Sequence, residues 1–305
     1  MRVLILIMFC AMVICLSAQQ TSIIVLGNVQ DGGSPHIGCT KKCCNALFQK
    51  PDPTRKVTAL GIIDASRKAG YLMEATPDII SQLKLLKEYG QSDSEMPNGI
   101  FLTHAHIGHY SGLMYLGKEA MNASQIPVYT MPRMKIFLEQ NGPWSQLVNL
   151  KNITPKHIEN GVAVTLSTDL QIIPFQVPHR DEYSETVGYK IIGPNKKALF
   201  IPDIDKWEKW EKDIRQLIAD VDYAFIDATF FDAEEINNRD IKEIPHPFII
   251  ETIRLFEAMP IEEKKKIYFI HMNHTNPALS KESAQTKQIL QMGFNIARFK
   301  DVFKL

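Results

Sequence analysis

The run Thr103-His104-Ala105-His106-Ile107-Gly108-His109 constrains this chain more than any other stretch of it. It follows Gly99-Ile100-Phe101-Leu102, which has the length and the apolar, partly β-branched and aromatic content of a buried strand. In extended backbone, alternate side chains share a face, so His104 and His106 leave the strand on the same side. His109 comes three residues later, before residues 112–121, which read as a helix. A single histidine after a strand is more often a hydrogen-bonded surface residue. Three within six residues, with further strand-end ligands downstream, point instead to a metal.

Those further ligands follow strand candidates one by one. His179 comes after residues 171–177, Asp203 after 198–201 and His271 after 267–270, with His274 three residues beyond. Residues just past strand ends gather at one rim of a sheet, where α/β proteins place their ligands. Several imidazoles and a carboxylate at one rim suit zinc, and are compatible with iron or manganese. Whether His271 or His274 is the ligand is open at this level.

The rest of the chain supports an α/β architecture. Residues 23–26, 59–63, 186–192, 223–226 and 295–299 read as strands, and residues 76–89, 206–219, 247–257 and 281–292 as helices, with no internal repeat or low-complexity linker. Trp207 and Trp210 lie at helical spacing and read as packing residues; His157, in a polar stretch, reads as surface. The 305 residues suffice for a sizeable core. Lysine plus arginine equals aspartate plus glutamate at 34 each, so no net field favours nucleic acid or an anionic membrane, and a small-molecule substrate is expected. Residues 1–18 read as a signal peptide: Arg2, an apolar run to about Leu16, then Ser17-Ala18. A single domain over residues 19–305 is therefore expected to be periplasmic or secreted, without a membrane span once the leader is removed.

The histidine run resembles the His-x-His-x-Asp-His motif of the metallo-β-lactamase superfamily. His179, Asp203 and His271 fall in the order of that superfamily's later motifs, and Asp64 matches its early strand-end aspartate. Within the superfamily, three stretches are similar to the coenzyme PQQ synthesis protein B family: residues 27–44, with Asp31-Gly32-Gly33 and the cysteines; Phe225-Ile226-Asp227-Ala228-Thr229-Phe230-Phe231; and residues 269–277. The resemblance implies a four-layer αββα sandwich with metals at one edge. The departure is Gly108, where the superfamily has an aspartate that ligates a second metal. A first site of His104, His106 and His179, with Asp203 bridging, survives that change. His109, Asp203 and His271 alone make a poor second cage, so one tightly held ion is expected.

Asp227 and His246 are the candidate catalytic pair. Asp227-Ala228-Thr229 resembles the Glu-Ala-Thr segment of the ribonuclease Z branch, whose acid orients a later histidine as proton donor. The bland alternative is a strand-end cap and a loop histidine before Pro247. A second ligand cluster comprises His36, Cys39, Cys43 and Cys44, whose short spacing suits a structural zinc. The competing reading is a group of inert thiols, since neighbouring Cys43 and Cys44 do not bridge comfortably. The expectation as a whole is a metal-dependent hydrolase acting on a small organic substrate. An iron-dependent oxygenase or hydroxylase, implied by the resemblance to the PQQ protein, and a non-catalytic binding protein on the same fold are the alternatives.

Overall fold

The computed structural model describes residues 21–64, 66–236 and 240–305, and the leader expected over residues 1–18 lies outside them. β1 (Ser22–Gly27) is buried along its whole length, as its unbroken apolar run requires. β2 (Ala59–Asp64), β3 (Ala69–Met73), β4 (Gly99–Phe101), β5 (Ile126–Thr130) and β6 (Ile153–His157) follow it in order across the first sheet. β7 (Val164–Ser167), β8 (Leu170–Gln176), β9 (Val187–Ile192), β10 (Lys197–Ile201), β11 (Tyr223–Asp227), β12 (Ile267–Ile270) and β13 (Asn295–Ile296) form the second, also in chain order. β14 (Val302–Lys304) returns to the first sheet, antiparallel to β1. Among the described residues each sheet has seven strands and mixes parallel with antiparallel pairing.

Side-chain alternation sorts the strands into layers. Along β1, Ile23 and Val25 join the core between the sheets, together with Phe101, Tyr189, Phe200 and Phe225. Ile24 and Leu26 face the other way, onto the helices Ile79–Gly90, Pro132–Gln140 and Trp144–Asn149. The second sheet turns Leu199, Ile201, Ile226 and Phe269 towards the helices Ile214–Ala219, Ile249–Leu255 and Ala284–Gln291. Helix, sheet, sheet, helix is the four-layer sandwich expected.

The second half of the predicted helix 206–219 forms; its first half does not. Only a 3-10 turn, Trp207–Lys209, precedes the helix Ile214–Ala219, because the Asp213 carboxylate accepts from Arg215 N and caps a fresh start. Trp207 and Trp210 both turn into the core, Trp210 stacking on Phe175. Residues 112–121 likewise give only the 3-10 turn Ser111–Leu116.

The two sheets are stitched together at the end where the histidines emerge. Tyr189 Oη donates to the Leu102 carbonyl at 2.5 Å, and Val187 N to the Thr103 carbonyl at 3.1 Å. On the far side of the rim, Met272 N donates to Asn28 O at 2.9 Å and Gln30 N to Met272 O at 2.8 Å. Phe101, fully buried, stacks on Tyr129 and meets Tyr189 edge-on just below this seam. Phe101→Ala should therefore cost about 3–5 kcal/mol, read as a lower urea midpoint at unchanged slope.

Candidate metal centre

Seven of the strands that run towards the seam deliver a ligand or a supporting acid there. β1 is followed by Asp31, β3 by Glu74, β4 by His104, His106 and His109, β8 by His179, β10 by Asp203 and β12 by His271; β11 ends on Asp227 itself. Four donors converge first: His104, His106, His179 and Asp203. Asp203 Oδ2 lies 3.4 Å from His104 Nε2 and 3.2 Å from His179 Nε2, and His179 Nε2 is 3.3 Å from His106 Nδ1. Ligands about 2.1 Å from a common ion stand about 3.4 Å apart, so these separations fit one. The opposite ring nitrogens are held by neighbours: His104 Nδ1 by Thr103 Oγ1 at 2.8 Å, His179 Nδ1 by Asp205 at 3.2 Å and His106 Nε2 by Glu182 at 3.4 Å. Such outer partners fix the tautomer and aim of a ligating imidazole.

The second half of the centre departs from expectation. Asp31, which the sequence marked only as part of a family-like stretch and not as a ligand, joins His109 and His271. Its Oδ1 is 2.9 Å from His109 Nε2 and 3.1 Å from His271 Nε2, and Asp203 Oδ2 is 3.8 Å from His109 Nε2. The poor cage inferred from Gly108 is thereby supplied with a carboxylate from elsewhere. His274 does not belong to this rim; His271 does.

Behind His109 stands Glu74, fully buried, its Oε1 3.3 Å from His109 Nδ1 and its Oε2 accepting from Thr103 N. Glu74 adopts φ 75° and His271 φ 63°, left-handed conformations that are uncommon for residues with side chains. Asp64, the residue matched to the early aspartate, is not at the rim. β2 runs antiparallel to β3, which pairs Asp64 with Ala69 at the far end of the sheet, where its carboxylate binds Ser66. The acid at the rim is Glu74.

Several buried atoms here lack an aligned hydrogen bond: His104 Nε2, both ring nitrogens of His109, Glu74 Oε1 and Asp203 Oδ1. Leaving one buried polar group unpaired costs about 1–3 kcal/mol, and two of these atoms, His104 Nε2 and His109 Nε2, face Asp203 Oδ2 at 3.4 and 3.8 Å as ligands around a cation would. The charge pattern agrees. Burial works against ionised Asp203, yet His246 and His179 hold its carboxyl well below the usual range. Burial likewise opposes charge on His109, but Asp31 and Glu74 raise it well above the ordinary histidine value. His271, against the same burial, is raised to about 9 by Asp203, Asp227 and Asp31. His104 is driven well below the usual value by burial and then by the charge of His109. The carboxylates that draw protons onto His109 and His271 offer a dication the same negative charge, and its binding would displace those protons. The residues fit a metal.

Beside the rim lie Asp227 and His246. Asp227 Oδ2 is 2.8 Å from His246 Nδ1, and Asp203 Oδ1 approaches the same nitrogen at 3.1 Å. Asp227 is fixed by Thr229 N, Thr229 Oγ1 and Ile204 N. The two candidates are thus brought together, with Asp227 completely buried and His246 partly open.

The cysteine cluster gathers Cys39, Cys43, Cys44 and His274. The Cys39 and Cys43 sulfurs are 4.0 Å apart and those of Cys43 and Cys44 3.9 Å, close to the roughly 3.8 Å edge of a tetrahedral thiolate–zinc site. His36, expected as a ligand, lies outside the set. Its ring stacks on His274 at 4.4 Å, and its Nδ1 turns to the Ile37 carbonyl. Burial, with His36 and Lys41 nearby, lowers His274 to about 4, so its imidazole is in the neutral, ligating form near pH 7. His157, on β6, is solvent-facing beside Glu159.

Residues 70–272 match the family described as the Beta-lactamase superfamily domain, and the chain belongs to the metallo-β-lactamase superfamily. Among curated proteins it is similar to coenzyme PQQ synthesis protein B of Xanthomonas oryzae pv. oryzae, 25% identical over 303 residues, covering 90% of this chain and 97% of that protein. Among solved structures it superposes on Zn(2+)-bound PqqB from Methylobacterium extorquens with a TM-score of 0.76 at 19% identity, over 93% of this chain and 100% of that one. A diphosphatase from the PhnP family follows at 0.65 and 19%, over 94% and 97%.

Replacing His104 with alanine should lower the metal bound at the rim without changing any metal held at the cysteines. Metal analysis of the purified variant checks this, and an unchanged rim content would contradict it.

Proposed function

We propose that the chain is a metal-dependent hydrolase acting on a small organic substrate, with zinc as the rim metal and a structural zinc at the cysteines. The observation that carries the reading is the Asp227–His246 pair, 2.8 Å apart and set against the carboxylate that also faces the rim histidines. A metal held by His104, His106, His179 and Asp203 would lower the pKa of a bound water towards neutrality and polarise the bond to be broken. The leaving group then needs a proton. His246 Nδ1 is committed to Asp227 and Asp203, so Nε2 is the ring nitrogen that can deliver it. Burial disfavours the imidazolium, but Asp227 and Asp203 outweigh it and raise His246 well above the ordinary value. Asp227, anchored by three further hydrogen bonds, orients the ring and compensates its charge.

His246→Ala should lower kcat by about 10²- to 10⁴-fold with metal content unchanged and KM little affected. Nitrophenyl phosphodiesters, esters and thioesters are suitable probes. Retention of full turnover by the variant would remove His246 from the chemistry. Iron in the purified protein together with oxygen-dependent turnover would replace hydrolysis by oxygenation.

A further inference from the structure

We infer that the carboxylate ligand of the second rim metal has moved from position 108 to Asp31, and that the two positions are mutually exclusive. The inference rests on the reading of the rim as a metal centre and names the ligands of its second ion: Asp31, His109 and His271, with Asp203 between the two ions.

The steric evidence is direct. A Cβ built on Gly108 falls 2.5 Å from Asp31 Cα and 2.6 Å from both Cβ and Cγ of Asp31. Atoms do not approach so closely, and the obstruction includes backbone, which a rotamer change cannot clear. The side chain that position 108 lacks is replaced, in the same volume, by the side chain of Asp31. Glycine at 108 is thus the condition for Asp31 to reach the centre.

The geometry of Asp31 is that of a ligand. Its Oδ1 lies within 3.1 Å of two imidazole nitrogens on different strands' ends, His109 Nε2 and His271 Nε2. Asp31 Oδ1 is hydrogen-bonded to His271 Nε2 at 3.1 Å, while His109 Nε2, fully buried, stands 2.9 Å from the same oxygen without an aligned hydrogen bond, so one carboxylate oxygen is shared between two imidazoles. The loop is held in place independently of that contact. Val29 bridges to both Val57 and Met272, and Gln30 N donates to Met272 O, tying the residues before Asp31 to the segment that carries His271. Immediately after Asp31, Gly32 packs its Cα under the His36 ring, where a Cβ would sit 2.4 Å from that ring, and Gly33 takes φ +73°. Asp31-Gly32-Gly33 is a turn shaped to present one carboxylate.

The test counts and compares metal in four proteins purified with zinc: wild type, Asp31→Ala, Gly108→Asp and the exchange variant Asp31→Gly/Gly108→Asp. The expected result is that Asp31→Ala loses about one equivalent while the ions at His104 and at the cysteines stay. Gly108→Asp alone should lose the same equivalent and melt at a lower temperature, because the two side chains collide. The exchange variant should regain both the equivalent and the melting temperature. Asp31→Asn, which preserves volume, should weaken the same ion while the metal-free variant melts as the metal-free wild type does, unlike metal-free Gly108→Asp. The inference is overturned if Asp31→Ala and Asp31→Asn keep the full wild-type complement, or if Gly108→Asp alone binds and melts as wild type, or if the exchange restores nothing. A wild type with no rim metal would instead refute the metal-centre reading on which the inference rests, and so is told apart from the other failures.

Discussion

Asp203 is the residue on which the centre depends. Its two oxygens face His104, His106, His109 and His179 on one side and His246 on the other, all from a fully buried position at the end of β10. A carboxylate buried there is tolerable only because cationic partners surround it, and it holds together imidazoles that would otherwise repel one another. The sandwich brings them to that point. β4 from one sheet and β8, β10, β11 and β12 from the other all finish at the same seam, and the seam is closed by backbone and Tyr189 hydrogen bonds rather than by side-chain packing alone.

The two ligand clusters share supporting chain. The loop after β1 contributes Asp31 to the rim and, a few residues on, Cys39, Cys43 and Cys44 to the cysteine site. The segment after β12 contributes His271 to the rim and His274 to the cysteines. Gln30–Met272 pairing ties the two segments together beside Asp31 and His271. A metal at the cysteines would therefore close a short clamp around the second half of the rim, a structural role matching the four-ligand sets of zinc sites without an open position.

Much of this was legible from strand ends. His104, His106, His179, Asp203 and His271 each follow an apolar run by one to four residues, and the parallel strands of a sandwich turn that linear pattern into a common rim. Asp227 and His246 were legible through the likeness of a three-residue segment, and their 2.8 Å contact is the geometry that likeness implied. What was not legible depended on tertiary pairing. Asp31 lies in a glycine-rich loop whose position is set by bonds to Met272, far away in the chain, so nothing local distinguishes it from a turn residue. Asp64 and Glu74 both follow β-strands; only the antiparallel hairpin decides that Glu74 reaches the rim and Asp64 the opposite end. His36 was the histidine expected at the cysteines and His274 a candidate for the rim; the structure stacks the two rings and places His274 in the cysteine cluster instead. Strands β3, β5, β6, β7 and β14 were missed because they are short, and β5 and β6 are interrupted by Pro127 and Pro155.

Anomalous diffraction at the zinc edge from crystals of the zinc-loaded protein addresses the central claim most directly, because it locates each ion as well as counting it. The account predicts two neighbouring peaks at the rim, one among His104, His106 and His179 and the other against the Asp31 carboxylate with His109 and His271, the pair flanking Asp203. A single rim peak with Asp31 turned away from it, or no rim peak at all, would contradict the account.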